Sequence, residues 1–424
     1  MGIGGMANDS VVIIGAGQGG FQAAASLRQD GFAGRIVLIG EEAGLPYQRP
    51  PLSKAYLKDG DAGRLSLRPA AFYEQHRVEL LDGRLAVDID RDAQLVRTDA
   101  GESIPYGHLI LATGSRNVQP PIAGIDTDGI QELRTLRDAA AIRARLVDVR
   151  TALVIGGGFI GLEFAAVARG VGIDVTVIEA APRLMARAVS PEMSRRFATL
   201  HQALGTRLVL GQAVTGILSD PCGQARGVRL ADGSEHHADM LLLAAGVRPN
   251  TDLAARAGLA VDNGILVDTF LQTSDPSISA LGDCAAYPDA RTGRRIRLES
   301  VQAATDHART ISRRLMGSPE PYTTVPWFWS DQADWKLQIA GLGQDDDTVQ
   351  SREGPNGAVT ILRFAKNRLV CVETVNAAAE HMAARRLLAM TPAVTREEVE
   401  NCPGGLGELL KTRNTIPARQ RALI

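Results

Sequence analysis

The stretch Ala152–Glu179, ALVIGGGFIGLEFAAVARGVGIDVTVIE, decides how the rest of the chain is read. An apolar run of strand character, Ala152 to Ile155, enters a glycine cluster in which Gly156, Gly158 and Gly161 fit G-x-G-x-x-G. A helical stretch follows, and a second apolar run, Val175 to Ile178, ends at Glu179. Strand, glycine turn, helix and strand form the context in which that spacing marks a dinucleotide site. Two of the glycines permit the tight turn and the close approach of a pyrophosphate. The third lets helix and strand pack closely, and the helix N-terminus faces the phosphates. A carboxylate at Glu179, at the tip of the second strand, is placed to bind two ribose hydroxyls and repels a 2′-phosphate, so NADH is favoured over NADPH. The competing reading is a tight turn in some other α/β protein.

The pattern occurs once before. Val11–Gly20 reads VVIIGAGQGG, with Gly15, Gly17 and Gly20 in register, a helix candidate to about Asp30, and a strand from Arg35 to Ile39 that ends at Gly40-Glu41-Glu42. Two such units in one chain point to one flavin dinucleotide and one nicotinamide dinucleotide, FAD and NADH.

Length and composition agree with this. A chain of 424 residues is too long for one ordinary domain. Its 45% hydrophobic and 22% charged residues describe a soluble globular protein with ample core, and 44 glycines suit nucleotide loops and tight turns. A formal net charge of −2 gives no global basic excess, so neither nucleic acid nor an anionic membrane is expected as a partner. Cys222, Cys284, Cys371 and Cys402 form no C-x-x-C and have no zinc-type spacing with histidine, so no metal site is expected. Scattered single cysteines fit a reducing compartment, hence the cytoplasm. The first ten residues, MGIGGMANDS, read as a disordered leader without the basic and apolar regions of a signal peptide, and no apolar run is long enough to span a bilayer.

Between the two units, Gly44–Lys58 reads GLPYQRPPLSKAYLK; its prolines bar a regular helix at the start, after which Ser53 is expected to cap a short one. Arg49 and Lys54 are read as cations held toward the cofactor, Lys54 near the flavin ring; a solvated loop is the alternative. Val78–Thr98 reads as short antiparallel strands. Leu109–Ala112 is a strand running into Thr113-Gly114, where small residues let backbone pass close to a ligand. Leu241–Asn250, LLLAAGVRPN, is a buried strand with a Gly/Pro turn. Asp283, in SALGDCA, is read as a contact to the flavin's ribityl chain, with a helix cap as the alternative. Glu299-Ser300-Val301 precedes a helix to Leu315 whose first N–H groups would favour negative charge on a reduced flavin. From about Val325 short strands and then helices at Ala377–Met390 and Glu397–Lys411 read as a separate α+β domain.

Taken in order, the two fingerprints, RPPLSK, LATG, GVRPN, LGDCA, ESV and PWFWSDQ resemble the NADH-dependent ferredoxin reductases of the putidaredoxin reductase type, over nearly the whole chain. The resemblance implies an α/β protein: two Rossmann-like, glutathione-reductase-like dinucleotide domains and a C-terminal α+β domain. Their expected extents are 8–117 plus 248–325 for FAD, 118–247 for NADH and 326–424 for the remainder. It implies that Gly15, Gly17, Gly20 and Glu41 hold the adenosine diphosphate half of a non-covalent FAD. Arg49, Arg134 and Thr113 would lie along it, Asp283 at the ribityl chain, and Val301 and Trp329 near the ring. Gly156, Gly158, Gly161 and Glu179 would bind NADH, and Lys54 and Glu163 would pair at the reacting edge of the flavin as the catalytic residues. The implied activity is transfer of electrons from NADH through FAD, one at a time, to a 2Fe-2S ferredoxin. That ferredoxin would feed a heme-thiolate monooxygenase or a ring-hydroxylating dioxygenase. The contact would be transient and electrostatically steered, with the reductase a monomer or weak dimer.

Rubredoxin reductase, and a flavin-bound binding protein of the apoptosis-inducing-factor type, are the rival readings. Thiol chemistry is disfavoured: disulfide reductases of this fold carry a redox cysteine after the first nucleotide unit, and Glu41–Lys58 has none. Arg291, Arg294, Arg295, Arg297, Arg309, Arg313 and Arg314 are read either as solvated faces or as a dock for an acidic ferredoxin.

Overall fold

A computed structural model describes residues 9–415. The chain divides into two compact units, each assembled from separate stretches: one from 1–49, 61–116 and 247–324, the other from 50–60, 117–246 and 325–424. The leader expected at 1–10 lies outside the described residues apart from Asp9 and Ser10, and Ser10 already opens the first strand.

The first unit is built on a five-stranded parallel sheet in the order Ile278–Ala280, His108–Leu111, Ser10–Ile14, Arg35–Gly40, Val78–Asp82. Its central strands are continuous apolar runs buried along nearly their whole length, as strands covered on both faces must be. The helices Gln18–Gln29 and Val301–Leu315 pack on each other, with Gly19 facing Ala304, whose Cβ a side chain at Gly19 would meet at 3.4 Å. Val78–Asp82 corrects the sequence reading: it is the parallel edge strand of this sheet, whereas Ala86–Asp90 and Leu95–Thr98 are antiparallel as expected and are joined by a third strand, Ser103–Pro105, that was not expected.

The second unit holds a five-stranded parallel sheet of the same plan, ordered Ile130–Glu132, Met240–Leu243, Thr151–Ile155, Asp174–Glu179, Arg207–Leu210. It also holds a five-stranded antiparallel sheet, Trp327–Gln332, Trp335–Gly341, Arg368–Val375, Val359–Ala365, Thr348–Glu353. The helices Ala378–Leu388, Arg396–Glu400 and Leu406–Thr415 close a core on it around Leu362, Val372, Leu387 and Leu406. The helix expected over 397–411 is therefore two helices. Pro403-Gly404-Gly405 breaks it, and Thr395 and Glu398 form a capping box at the start of the first.

Candidate functional site

Each parallel sheet presents a glycine turn at the C-terminal end of its central strand, and the two turns have the same geometry. Gly15 N donates to Ile39 O at 2.8 Å, and Gly156 N to Ile178 O at 2.8 Å. Both first glycines have positive φ, +110° and +115°, a region costly for any side chain. A Cβ on Gly15 would come within 2.1 Å of Ala112 O, and on Gly156 within 2.3 Å of Ala244 O. The third glycines are required by packing: a Cβ on Gly20 would stand 1.8 Å from Gly15 O and on Gly161 2.3 Å from Gly156 O. The middle glycines differ from these. A Cβ on Gly17 or Gly158 would meet nothing within 4 Å, and neither residue needs positive φ. Gly17 and Gly158 are the N-cap residues of the helices Gln18–Gln29 and Phe159–Gly170, and neither helix start has a side-chain cap. The first and third glycines of each triplet are thus explained by the protein, while the middle one keeps open space in front of uncapped N–H groups. That is the cradle a bound pyrophosphate requires.

The acids beside the two turns differ. Glu179 ends its strand with its carboxylate accepting from Gly157 N and from Ala181 N, both at 2.7 Å. Glu41 is exposed, one residue beyond the end of Arg35–Gly40. Its neighbour Glu42 is the engaged one, bonded to Arg49 at 2.6 Å and to the Tyr47 hydroxyl at 2.6 Å, with Arg49 also over the Tyr47 ring. Arg49, read as a cofactor contact, thus has a carboxylate partner within its own unit.

Elsewhere in the first unit the LATG and GVRPN segments are one structure. Thr113 Oγ1 donates to Asn250 O at 2.7 Å, Asn250 Nδ2 donates to Thr113 O at 2.8 Å, and Arg116 reaches both Asn250 Oδ1 and Asp252 at 2.6 Å. Asn250 and Arg116 were not singled out from the sequence, although Asn250 closes a quoted motif. Asp283 lies in a short 3₁₀ turn, Gly282–Cys284, and accepts from Ser115 Oγ at 2.7 Å. Val301 opens the helix to Leu315, where Ser300 Oγ takes the N–H of Ala303. The basic cluster is mostly structural: Arg291 holds the carbonyls of Thr323 and Thr324, Arg295 those of Val267 and Ala286, and Arg297 that of Asp283. Arg314 reaches inward to Ser279, whereas Arg309 and Arg313 remain largely exposed.

In the second unit Glu163 is 3% exposed on the helix that follows Gly158. Lys54 Nζ lies 2.9 Å from its Oε1, so the expected pair is formed. The capping role expected of Ser53 is not: Ser53 ends a 3₁₀ turn and its hydroxyl donates to Glu163 Oε2 at 2.5 Å, leaving the next helix without a side-chain cap. Ser330 Oγ donates to Glu163 Oε1 at 2.6 Å. Arg134 directly precedes the capping box of Thr135 and Asp138, and its N–H also donates to Asp138. Trp329 is half-buried beside Trp327, ring centroids 5.5 Å apart, while Trp327 packs on the C-terminal core under Arg385.

All four cysteines are free. Burial raises the thiol pKa of Cys284, Cys371 and Cys402, which disfavours the thiolate that disulfide exchange needs. Among the described residues no cluster fits a metal ion, and no helix is long and apolar enough to cross a membrane.

Residues 9–308 match the family model described as pyridine nucleotide-disulphide oxidoreductase. The chain belongs to that family. It uses FAD and a nicotinamide dinucleotide, in keeping with the two cradles. Residues 327–410 match a second model, the reductase C-terminal domain. Rhodocoxin reductase of Rhodococcus erythropolis is 49% identical over 391 residues, 92% of this chain and 91% of that one. The ferredoxin reductase for the CYP199A2 system from Rhodopseudomonas palustris superposes with a TM-score of 0.91 at 44% identity, covering 95% of this chain and 99% of that chain. The reductase in a covalent putidaredoxin reductase–putidaredoxin complex gives 0.92 at 35% identity, covering 97% and 100%. The fold class and the family read from the motifs are both borne out.

Proposed function

We propose that this protein takes electrons from NADH and delivers them singly to a 2Fe-2S ferredoxin, which supplies a heme-thiolate monooxygenase or a ring-hydroxylating dioxygenase. FAD, when bound, supplies the conversion, accepting a hydride and releasing electrons one at a time. The observation that carries the reading is the pairing of two open glycine cradles with a post-fingerprint segment, Glu41–Lys58, that offers Ser53 and Lys54 to Glu163 and contains no cysteine. The relatives' names, each a reductase of a redoxin or ferredoxin, support the acceptor class.

The chain's own residues divide the work. Gly15, Gly17 and Gly20 would admit the FAD pyrophosphate, and Asp283 would hold the ribityl chain. Gly156, Gly158 and Gly161 admit that of NADH. Glu179, held by two backbone N–H groups, meets the ribose and places a negative charge where NADPH carries its phosphate. Lys54 and Glu163 set the charge for the hydride-transfer step, and no protein nucleophile is required. The domains are assigned to 8–117 plus 248–325, 118–247 and 326–424. The free cysteines suit the cytoplasm, and the ferredoxin contact is transient, made by a monomer or weak dimer.

Anaerobic stopped-flow tests this. NADH should bleach the flavin, and a 2Fe-2S ferredoxin, not a disulfide, should reoxidise it quickly. Bleaching followed by slow transfer to every carrier would move the assignment to a flavin-bound binding protein.

A further inference from the structure

Glu163 is the end of a longer chain of buried polar groups in the second unit. Ser330 and Gln332 lie on the strand Trp327–Gln332, and His201 on the helix Pro191–Ala203; all three have no exposed surface. Ser330 Oγ is 2.6 Å from Glu163 Oε1, Gln332 Nε2 is 3.1 Å from Ser330 Oγ, and His201 Nε2 is 2.9 Å from Gln332 Oε1.

The donors and acceptors can be ordered from chemistry alone. A carboxylate only accepts, and a serine hydroxyl has one proton. Ser330 gives that proton to Glu163 and can therefore only accept from Gln332. The Gln332 amide group must face Ser330, which turns its carbonyl oxygen to His201, and His201 must carry its proton on Nε2. Burial lowers the His201 pKa, in keeping with a neutral ring. With Ser53 on Oε2 and Lys54 and Ser330 on Oε1, Glu163 has three donors on two oxygens and one available orientation. Apolar side chains could fill these positions without the cost of burying polar groups, so what the polar chain adds is a fixed direction of donation.

The helix that carries His201 is fixed at its other end too. Ser190 N and Oγ, at its N-cap, donate to Glu373 at 2.8 and 2.7 Å, and Glu373 is paired with Arg363 at 2.9 Å. His201 and Gln332 thus meet between elements already held against each other.

We propose that Ser330, Gln332 and His201 are positioning residues: a one-directional hydrogen-bond chain that locks the Glu163 carboxylate as an acceptor and through it fixes the Lys54 ammonium for the hydride-transfer step. This rests on the oxidoreductase reading above for its purpose, but not for its geometry. The test compares Ser330→Ala, which removes the donor, with Ser330→Thr, which keeps the hydroxyl on a strand that tolerates β-branching. Two readouts do not need turnover. Imidazole ¹⁵N NMR of the holoprotein should show His201 as the neutral Nε2–H tautomer, and Gln332→Leu should alter it. Competitive acetylation followed by mass spectrometry resolves the five lysines, Lys54, Lys58, Lys336, Lys366 and Lys411. Lys54 should react several-fold faster in Ser330→Ala and at the wild-type rate in Ser330→Thr.

The limiting rate of flavin reduction by NADH should fall about tenfold in Ser330→Ala, the scale of one hydrogen bond to a charged group, with the apparent Kd for NADH unchanged and the rate restored in Ser330→Thr. A folded Ser330→Ala protein with wild-type Lys54 reactivity and reduction rate overturns the proposal, as does an Nδ1–H tautomer at His201 in the wild type. If NADH fails to reduce the wild-type flavin, the oxidoreductase reading falls instead, and the tautomer and the lysine reactivity still decide the chain of bonds.

Discussion

The two glycine turns are near copies, and the acids beside them are not. The first and third glycines of each turn are imposed by backbone contacts of the same kind, and both middle glycines face open space. Glu179 is bonded by two main-chain N–H groups, whereas Glu41 is exposed beyond its strand. The common part is what any pyrophosphate demands. The differing part is that the protein's own backbone orients the carboxylate of Glu179 and leaves that of Glu41 in solvent. FAD at the first turn and NADH at the second are proposed on the family resemblance, independently of this difference.

Mutations in the shared part should have the largest effects, and equal ones. Gly20→Ala and Gly161→Ala each drive a Cβ into a backbone oxygen, and each should cost about 3 kcal/mol in denaturant unfolding. A marked inequality between them would break the likeness of the two turns. Glu163→Ala comes next: flavin reduction should slow by at least about tenfold in stopped-flow while FAD content stays unchanged, since the residue lies outside both cradles. Unchanged reduction would remove Glu163 from the mechanism.

The acids themselves should differ. Glu179→Gln should raise the Kd for NADH about tenfold and narrow the preference over NADPH, whereas Glu41→Gln should change FAD affinity by about twofold. Equal effects, measured by titration of the two variants, would mean that the exposure of Glu41 does not persist with the cofactor bound. The smallest effect concerns the acceptor. Arg309→Glu or Arg313→Glu should weaken ferredoxin reduction a few-fold and in a salt-dependent way, leaving ferricyanide reduction intact.

What could be read in advance follows the range of the interactions. The glycine turns and the apolar parallel strands were legible because each rests on a spacing or a motif, whereas the Lys54–Glu163 pair came only from the family resemblance. Val78–Asp82 was misread because this edge strand, VELLD, with exposed Glu79 and Asp82 around Leu80 and Leu81, lacks the continuous apolar run that marks the central parallel strands. Thr348–Glu353 escaped notice because it is an edge strand with a polar, exposed face. The hydroxyl of Ser53 binds a carboxylate 110 residues away, and His201 meets Gln332 across 131 residues. No local pattern encodes such meetings. The arginine cluster showed the opposite error, for a dense run of charge looked like a surface patch, and Arg291, Arg295 and Arg297 hold backbone carbonyls instead.

The most direct test uses the two glycines that the fold itself does not require. Gly17→Ala and Gly158→Ala place a methyl group where nothing of the protein lies within 4 Å, so both variants should fold with wild-type stability. Flavin absorbance per protein and the Kd for NADH are then measured on each. The account predicts that Gly17→Ala is isolated with little or no FAD. Gly158→Ala should keep its FAD and bind NADH at least about tenfold more weakly. Full flavin content in Gly17→Ala, or unchanged NADH binding in Gly158→Ala, would contradict the assignment of the two cradles.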